Sequence, residues 1–273
     1  MPRILHVSDL HFGAPSVPEQ VAALEQVIEH GRFNAIVISG DLTQRTRRSE
    51  FAQAQAFIAR CERHGPVLTI PGNHDTAWWM APAGLGLTGL MHARYRKYIR
   101  ENLEPVLRIP GITIVGINSS HGIQPFTLTS RPRDLSVIGA IKDEQWASAR
   151  AAFSASEAGD LKVLVIHHNL LRGRLSNRWG LTNREAGIAQ AAGTGADIVL
   201  CGHDHQERIE QLRVGDRRLV VSTANTLTTR VRGGLPASFN MITAADEMIT
   251  VTPWLWNENE ESFAAGTDQC FRP

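Results

Sequence analysis

Short apolar runs alternate along the chain with longer stretches in which apolar residues recur every three or four positions. Residues 4–7, 35–38, 67–70, 112–117, 162–166 and 198–200 are predicted strands. Most are continuous apolar runs, as expected of strands covered on both faces. Helices are predicted between them. Ser16-Val17-Pro18-Glu19 combines a candidate cap with a first-turn proline and a Glu three residues on. Val17, Val21, Leu24, Val27 and Ile28 then mark one face, and Gly31 stops the helix. Ser49 is the candidate cap of a second helix, with Phe51, Ala54, Phe57, Ile58 and Cys61 inward. Asp143 is the candidate cap of a third, with Trp146, Ala149 and Phe153 on one side, and a fourth covers about residues 183–192. Such alternation of strand and helix predicts an α/β fold.

The last third of the chain differs. Residues 219–222, 239–242 and 248–253 read as consecutive strands with no helix between them. Gly215-Asp216 reads as a hairpin turn joining 209–214 to 217–221, which predicts a mostly antiparallel section. Residues 257–273 are polar, without a usable period, and read as a tail. Two connections are unusually long: 76–103, with Trp78, Trp79 and an Arg/Tyr-rich helix, and 118–141, with Pro125 and Pro132. Loops of that length in a compact domain are usually functional.

Composition narrows the function classes. The 273 residues carry 28 Lys+Arg against 27 Asp+Glu, a formal net charge of +1, so no basic excess suits a general polyanion binder. No apolar run approaches the roughly 18–20 residues of a membrane span. The N-terminus shows no apolar export signal, and Cys61, Cys201 and Cys270 are too scattered for a disulfide framework. A reduced, cytoplasmic protein is expected.

Chemistry enters at the strand ends. Residues 4–7 run into Asp9-Leu10-His11, 35–38 into Gly40-Asp41, and 67–70 into Gly72-Asn73-His74-Asp75. Residues 162–166 run into His167-His168-Asn169, and 198–200 into Gly202-His203-Asp204-His205. The C-terminal ends of parallel strands share one edge, where ligands bind. The glycines permit sharp turns or close backbone approach there. One histidine after a strand is usually structural, but five clusters in step with five strand ends are poorly explained by accident. Mixed carboxylate, amide and imidazole ligands suit manganese, iron, zinc or cobalt rather than a thiolate zinc site. Seven candidate ligands suit two metals sharing a carboxylate.

The ordered series Asp9-x-His11, Gly40-Asp41, Gly72-Asn73-His74-Asp75, His167-His168 and Gly202-His203-x-His205 resembles the calcineurin-like metallophosphoesterases. The resemblance spans about residues 4–205. It implies a four-layer α/β/β/α sandwich of two mixed sheets flanked by helices, with a dinuclear metal site at the strand C-terminal ends. The chain, 1–273, would be a single domain: about 1–205 carries the metal motifs, 206–256 completes the second sheet, and 257–273 is a tail. By position, Asp9, His11 and His205 would hold one metal, Asn73, His167 and His203 the other, and Asp41 would bridge. A one-residue slip would exchange His167 for His168. His74 would be the catalytic histidine, and Asp75 would either orient it or cap the next turn. Manganese or iron is the first choice of metal, zinc or cobalt the alternative.

The implied activity is phosphate-ester hydrolysis by attack of a metal-generated hydroxide on phosphorus. The compact chain looks most like the bacterial cyclic-nucleotide and glycerophosphodiester phosphodiesterase branch, so a small phosphodiester is favoured. Arg45, Arg47, Arg48, Arg131, Arg133, Arg172, Arg174 and Arg178 are either solvated or placed for a second anionic group. Trp78, Trp79, Tyr95 and Tyr98 are either a wall for a base or acyl chain or, for the tyrosines, packing. A phosphomonoester or a nucleotide-sugar lipid precursor with a pyrophosphate stays open as substrate. A DNA nuclease is disfavoured by the near-zero charge. A metal-free scaffold is disfavoured because every ligand position is filled. Trp254, Trp256 and the tail suit either a homo-oligomer contact or folding back on the same chain.

Overall fold

The structure is a computed structural model that describes every residue except 82–87, 124–126, 128–136, 178, 183 and 273. Two sheets carry the chain. In the first, β1 (Arg3–Val7), β2 (Ala35–Ile38) and β3 (Val67–Thr69) lie parallel and adjacent. β10 (Ser238–Ala245) pairs antiparallel with β1, β11 (Met248–Asn257) with β10, and β12 (Ser262–Ala265) and β13 (Gln269–Phe271) both with β11. In the second sheet, β5 (Ile112–Ile117), β6 (Leu161–Ile166), β7 (Ile198–Cys201) and β9 (Arg217–Thr223) run parallel in that order. Antiparallel edge strands flank them, β4 (Val106–Ile109) on β5 and β8 (Arg208–Val214) on β9.

The apolar runs are continuous because each sheet is covered twice. Ile4, Ala35, Val37 and Leu68 of the first sheet meet Ile112, Ile114, Val163 and Val165 of the second in one buried cluster. The alternate residues Leu5, Val7, Ile36 and Ile38 face outward onto α1 (Pro18–His30) and α2 (Arg48–Cys61). On the far side, Val115, Ile117, Leu164 and Ile166 pack against α4 (Asp143–Ser154) and α5 (Arg184–Gly193). The period-two alternation of each strand thus supplies two apolar layers, giving helix, sheet, sheet, helix. The short helix α3 (Ala93–Tyr98) buries Tyr95 completely and stacks Tyr98 on Phe51, so these tyrosines are packing residues.

The helix entries differ from the sequence reading. Val17, not Ser16, occupies the cap position of α1, and Pro18 opens the helix. Glu50, not Ser49, secures α2 by accepting the Arg47 backbone N–H at 3.1 Å. Lys142 precedes α4, its N–H donated to Gln145 Oε1 at 2.8 Å, so Asp143 is the first helical residue rather than its cap. In α2 and α4 the bond comes from inside the helix, one of the alternatives a single cap candidate does not reveal. Gly31 does end α1, donating to Val27 O.

The C-terminal third is divided between the sheets. The hairpin around Gly215-Asp216 joins β8 to β9 and extends the second sheet, whereas residues from 238 onward build the antiparallel half of the first. The segment read as a tail contributes β12 and β13 to that same sheet. Phe263 is 7% exposed and lies 5.0 Å, ring to ring, from Phe239 and 5.2 Å from Trp256. Trp254 and Trp256 fold back onto the cluster beneath α1. Among the described residues, no helix is long and apolar enough to cross a membrane.

Packing of this kind carries stability that a solvated tail would not. Phe263→Ala is expected to cost about 3 kcal/mol, the low end for removing a buried aromatic. Urea unfolding checks this, and a loss under about 0.5 kcal/mol, the surface value, would show that the segment contributes no core.

Candidate metal centre

Five loops leave the C-terminal ends of β1, β2, β3, β6 and β7 and meet at one edge. The first two are knitted together by backbone: Asp9 N–H donates to Gly40 O at 3.0 Å, and His11 N–H to Asp41 O at 2.9 Å. Asp9, His11, Asp41, His203 and His205 all adopt positive φ, between 41° and 74°. Asp and His enter this left-handed region more readily than most residues, yet a run of them marks backbone held in place by its surroundings. Gly40 turns at φ +104°. At Gly202 a Cβ would overlap Ser8 Oγ and Asp9 Oδ2, so only glycine lets the β7 loop close over the β1 loop.

The side chains converge in two groups. His11 Nε2 and His205 Nε2 are 3.0 Å apart, with Asp9 Oδ1 3.6 Å from the former and 3.2 Å from the latter. Asn73 Oδ1 lies 3.1 Å from His167 Nε2 and 2.9 Å from His203 Nδ1. Asp41 stands between the groups, its Oδ2 3.7 Å from His11 Nε2 and 3.4 Å from His167 Nε2. All seven candidate ligands are thus gathered at one point. Asp9, His11 and His167 are completely buried.

At His167 and His205 a lone pair rather than a proton faces the cluster. His167 Nδ1–H donates to Ser39 O at 2.8 Å, which leaves its Nε2 lone pair aimed at the Asn73 and Asp41 oxygens. His205 Nδ1–H donates to Arg230 O at 3.3 Å, leaving its Nε2 toward Asp9. Among the described residues, buried Asp9 Oδ1 has no hydrogen-bond partner, and no lysine or arginine pairs with Asp9 or Asp41. Burying charge without a partner is costly. Converging acceptors with outward-held N–H groups are what a cation satisfies, so the residues fit a metal pair. Without one, a proton takes that place. Burial lowers the His167 pKa, but the neighbouring Asp41 carboxylate more than offsets it and pushes it up to about 9. Burial likewise works against ionised Asp41, yet His167 and His74 hold its pKa well below the usual range.

His168 lies behind this arrangement. Its Nδ1 is 2.7 Å from Ser119 Oγ, and its ring is tilted against His203 at 4.6 Å. With His167 and His203 it forms a trio of imidazoles able to share an ion. His74 lies beside the first group and Asp41. Its N–H donates to Asp41 Oδ1 at 2.8 Å, its Nδ1–H donates to Gln44 O at 2.8 Å, and its ring meets that of His11 edge-on at 4.7 Å.

Asp75 does not touch the His74 imidazole. Its carboxylate takes the backbone N–H groups of Leu42 (3.1 Å), Thr43 (2.8 Å) and Gly72 (2.9 Å), and the Thr43 hydroxyl at 3.0 Å. It therefore stitches the Asp41 loop to the Asn73 turn. Burial, then the nearby Asp41 charge, raises its pKa to about 6. The sequence reading also missed the carbonyls of Ser39 and Gln44, and Thr226, whose hydroxyl donates to Asp9 O at 2.6 Å. Backbone carbonyls leave no mark in a sequence, and Thr226 lies outside every strand-end cluster. Among the arginines, Arg174 pairs with Glu210 at 3.2 Å and Arg172 lies over Trp179. Arg131, Arg133 and Arg178, with Pro125 and Pro132, lie outside the described residues.

The sequence profile of the calcineurin-like phosphoesterases matches residues 2–207. The chain belongs to that family, a membership that points to metal-dependent phosphoester hydrolysis. No curated protein matches the chain by sequence. Among solved structures it is similar to purple acid phosphatase PPD1 from seeds of yellow lupin (Lupinus luteus), with a TM-score of 0.67 and 13% identity. That similarity covers 98% of this chain but 53% of the lupin chain, so this chain spans about half the length of that enzyme. It is also similar to GAP50, the anchor in the inner membrane complex of Plasmodium, with a TM-score of 0.55, 13% identity, and coverage of 99% and 88%. At such identities the likeness is one of fold.

The Asp75 stitch generates an expectation. Asp75→Ala frees four donors and loosens both loops, so metal affinity is expected to fall about 10–100-fold, the usual cost of losing a group that positions ligands. Titration with Mn²⁺ followed by calorimetry measures it. Unchanged affinity in a folded variant would show that the loops hold themselves.

Proposed function

We propose that the chain is a dinuclear-metal phosphodiesterase acting on a small phosphodiester. Asp9, His11 and His205 would hold one metal, Asn73, His167 and His203 the other, and Asp41 both. The observation that carries this is the position of Asp41 Oδ2, 3.7 Å from a nitrogen of one group and 3.4 Å from a nitrogen of the other. A carboxylate oxygen between two sets of lone pairs suits a shared ligand better than two separate sites. His167 is preferred to His168 because its Nε2, not that of His168, faces both Asn73 and Asp41.

Two transition-metal ions, manganese or iron before zinc or cobalt, would supply Lewis acidity toward the phosphoryl oxygens and a nucleophilic water of lowered pKa. The chain's own contribution is placement and proton transfer. Gln44 O fixes the His74 ring by taking its Nδ1–H, so Nε2 is the position that carries a proton to the leaving oxygen. The Asp41 loop holds His74 through its backbone N–H, which keeps the imidazole at a constant place relative to the ligands.

A diester suits this centre better than a monoester. The groups converging on it are carboxylates, an amide and imidazoles, while Arg45, Arg47 and Arg230 are exposed at the rim. A monoester brings a dianionic phosphoryl group that calls for further cations at the centre. A diester brings a monoanion and a second ester arm that can extend toward the rim.

Two measurements test this reading. Protein prepared with Mn²⁺ is expected to hold two metals per chain, and Asp41→Asn to weaken both, as read by elemental analysis after dialysis. One tight metal indifferent to Asp41→Asn would defeat the dinuclear assignment. With Mn²⁺ present, bis-(p-nitrophenyl) phosphate is expected to exceed p-nitrophenyl phosphate in kcat/KM. The reverse order at the same pH would reject the phosphodiesterase choice and leave the family membership intact.

A further inference from the structure

We infer that the preferred diester carries a second phosphate, bound beside the metal centre by Arg45 and Arg230. The inference rests on the phosphodiesterase reading and deepens it.

A cavity of about 450 Å³ opens next to the site, with Gln44, Arg45, Arg47, Glu50 and Arg230 in its walls. Its relation to the centre is set by two backbone bonds. Gln44 O receives the His74 Nδ1–H at 2.8 Å, and Arg230 O receives the His205 Nδ1–H at 3.3 Å. The main chains of Gln44 and Arg230 thus brace the site histidines, and the same two residues line the cavity. The two side chains also meet, Arg230 Nη1 donating to Gln44 Oε1 at 3.0 Å. Gln44 and Arg230 therefore belong both to the cavity lining and to the frame of the centre.

The cavity's charge is unbalanced. Three arginines and one carboxylate, Glu50, line it. That carboxylate already accepts the backbone N–H groups of Arg45 (2.8 Å) and Arg47 (3.1 Å), and lies 3.9 Å from Arg47 Nε. Among the described residues, neither Arg45 nor Arg230 has an ion-pair partner, and the polar contact of Arg230 is to a neutral amide. The loop presenting Arg45 is held: Thr46 takes positive φ, 52°, and its carbonyl accepts Arg94 Nη1 at 2.6 Å. Unpaired guanidinium groups on a braced loop are suited to the oxygens of a phosphate, which they match in geometry as well as charge. A substrate whose scissile phosphoryl group sits over the metals and whose second phosphate reaches the cavity beside Gln44 and Arg230 satisfies both halves.

Paired nucleotides provide the test. Calorimetry on the Mn²⁺-loaded protein is expected to show thymidine 3′,5′-bisphosphate binding about tenfold or more tightly than thymidine 5′-phosphate, a margin that charge-assisted hydrogen bonds supply. The double variant R45A/R230A is expected to bring the two affinities together. R45K/R230K, which keeps the charge without the fork, should recover part of the difference. R213A, which removes an exposed arginine from the β8–β9 hairpin, should keep all of it. The p-nitrophenyl 5′-esters of the same two nucleotides are expected to show the same order in kcat/KM. Equal wild-type affinities, or a preference that survives R45A/R230A, would overturn the inference. Hydrolysis of bis-(p-nitrophenyl) phosphate, which has no second anion, reports on the phosphodiesterase reading alone. Its absence beside an intact bisphosphate preference would overturn that reading and not the anion pocket.

Discussion

Two buried carboxylates, Asp9 and Asp41, face imidazole and amide lone pairs with no lysine or arginine among the described residues to balance them. This is the most demanding arrangement in the molecule. Acceptors held 3–4 Å apart in a largely buried cluster repel one another, and a cation or a captured proton relieves them. Everything around them resists that repulsion. Ser39 O and Arg230 O hold His167 and His205 from behind, Asp9 O takes the Thr226 hydroxyl, and the His203 N–H donates to Asp9 Oδ2 at 2.9 Å. The cluster is preorganised because its side chains cannot turn away without giving up these bonds.

The sandwich supplies the stiffness. β1, β2 and β3 bring three loops from one sheet, and β6 and β7 bring two from the other. The loops meet because the apolar layer between the sheets fixes the two edges relative to each other. Ile4, Val37, Val163 and Val165, fully buried in that layer, thus bear on chemistry they never touch. Asp75 works at shorter range, fastening two loops of the same sheet.

Most of the strand and helix pattern was readable because double covering leaves long apolar runs, and the convergence of the seven candidate residues was readable because they follow those runs at once. The helix caps were not, since Glu50 and Gln145 secure helices from inside the first turn. Nor was the fate of residues 257–273. Ser262–Ala265 and Gln269–Phe271 are too short and too polar at their outer edge to declare themselves strands, and they are ordered by pairing with β11. Asp75 was legible as a turn residue, but its partners Leu42 and Thr43 lie more than thirty positions away. Contacts of that kind are set by the fold, not by local sequence.

The left-handed backbone at Asp9, His11, Asp41, His203 and His205 also constrains how such a centre can be lost in descent. Alanine at these positions would forfeit a converging polar group and inherit an unfavourable backbone conformation as well, a double burden. Glycine relieves the backbone and removes the crowding of lone pairs together, and at Asp9 and Asp41 asparagine keeps most of the shape while discarding the charge. A lineage released from the need for metal would drift toward glycine and asparagine at these places, with the sandwich intact. Its abandoned centre would be recognisable from which residues replaced the ligands, not only from their absence.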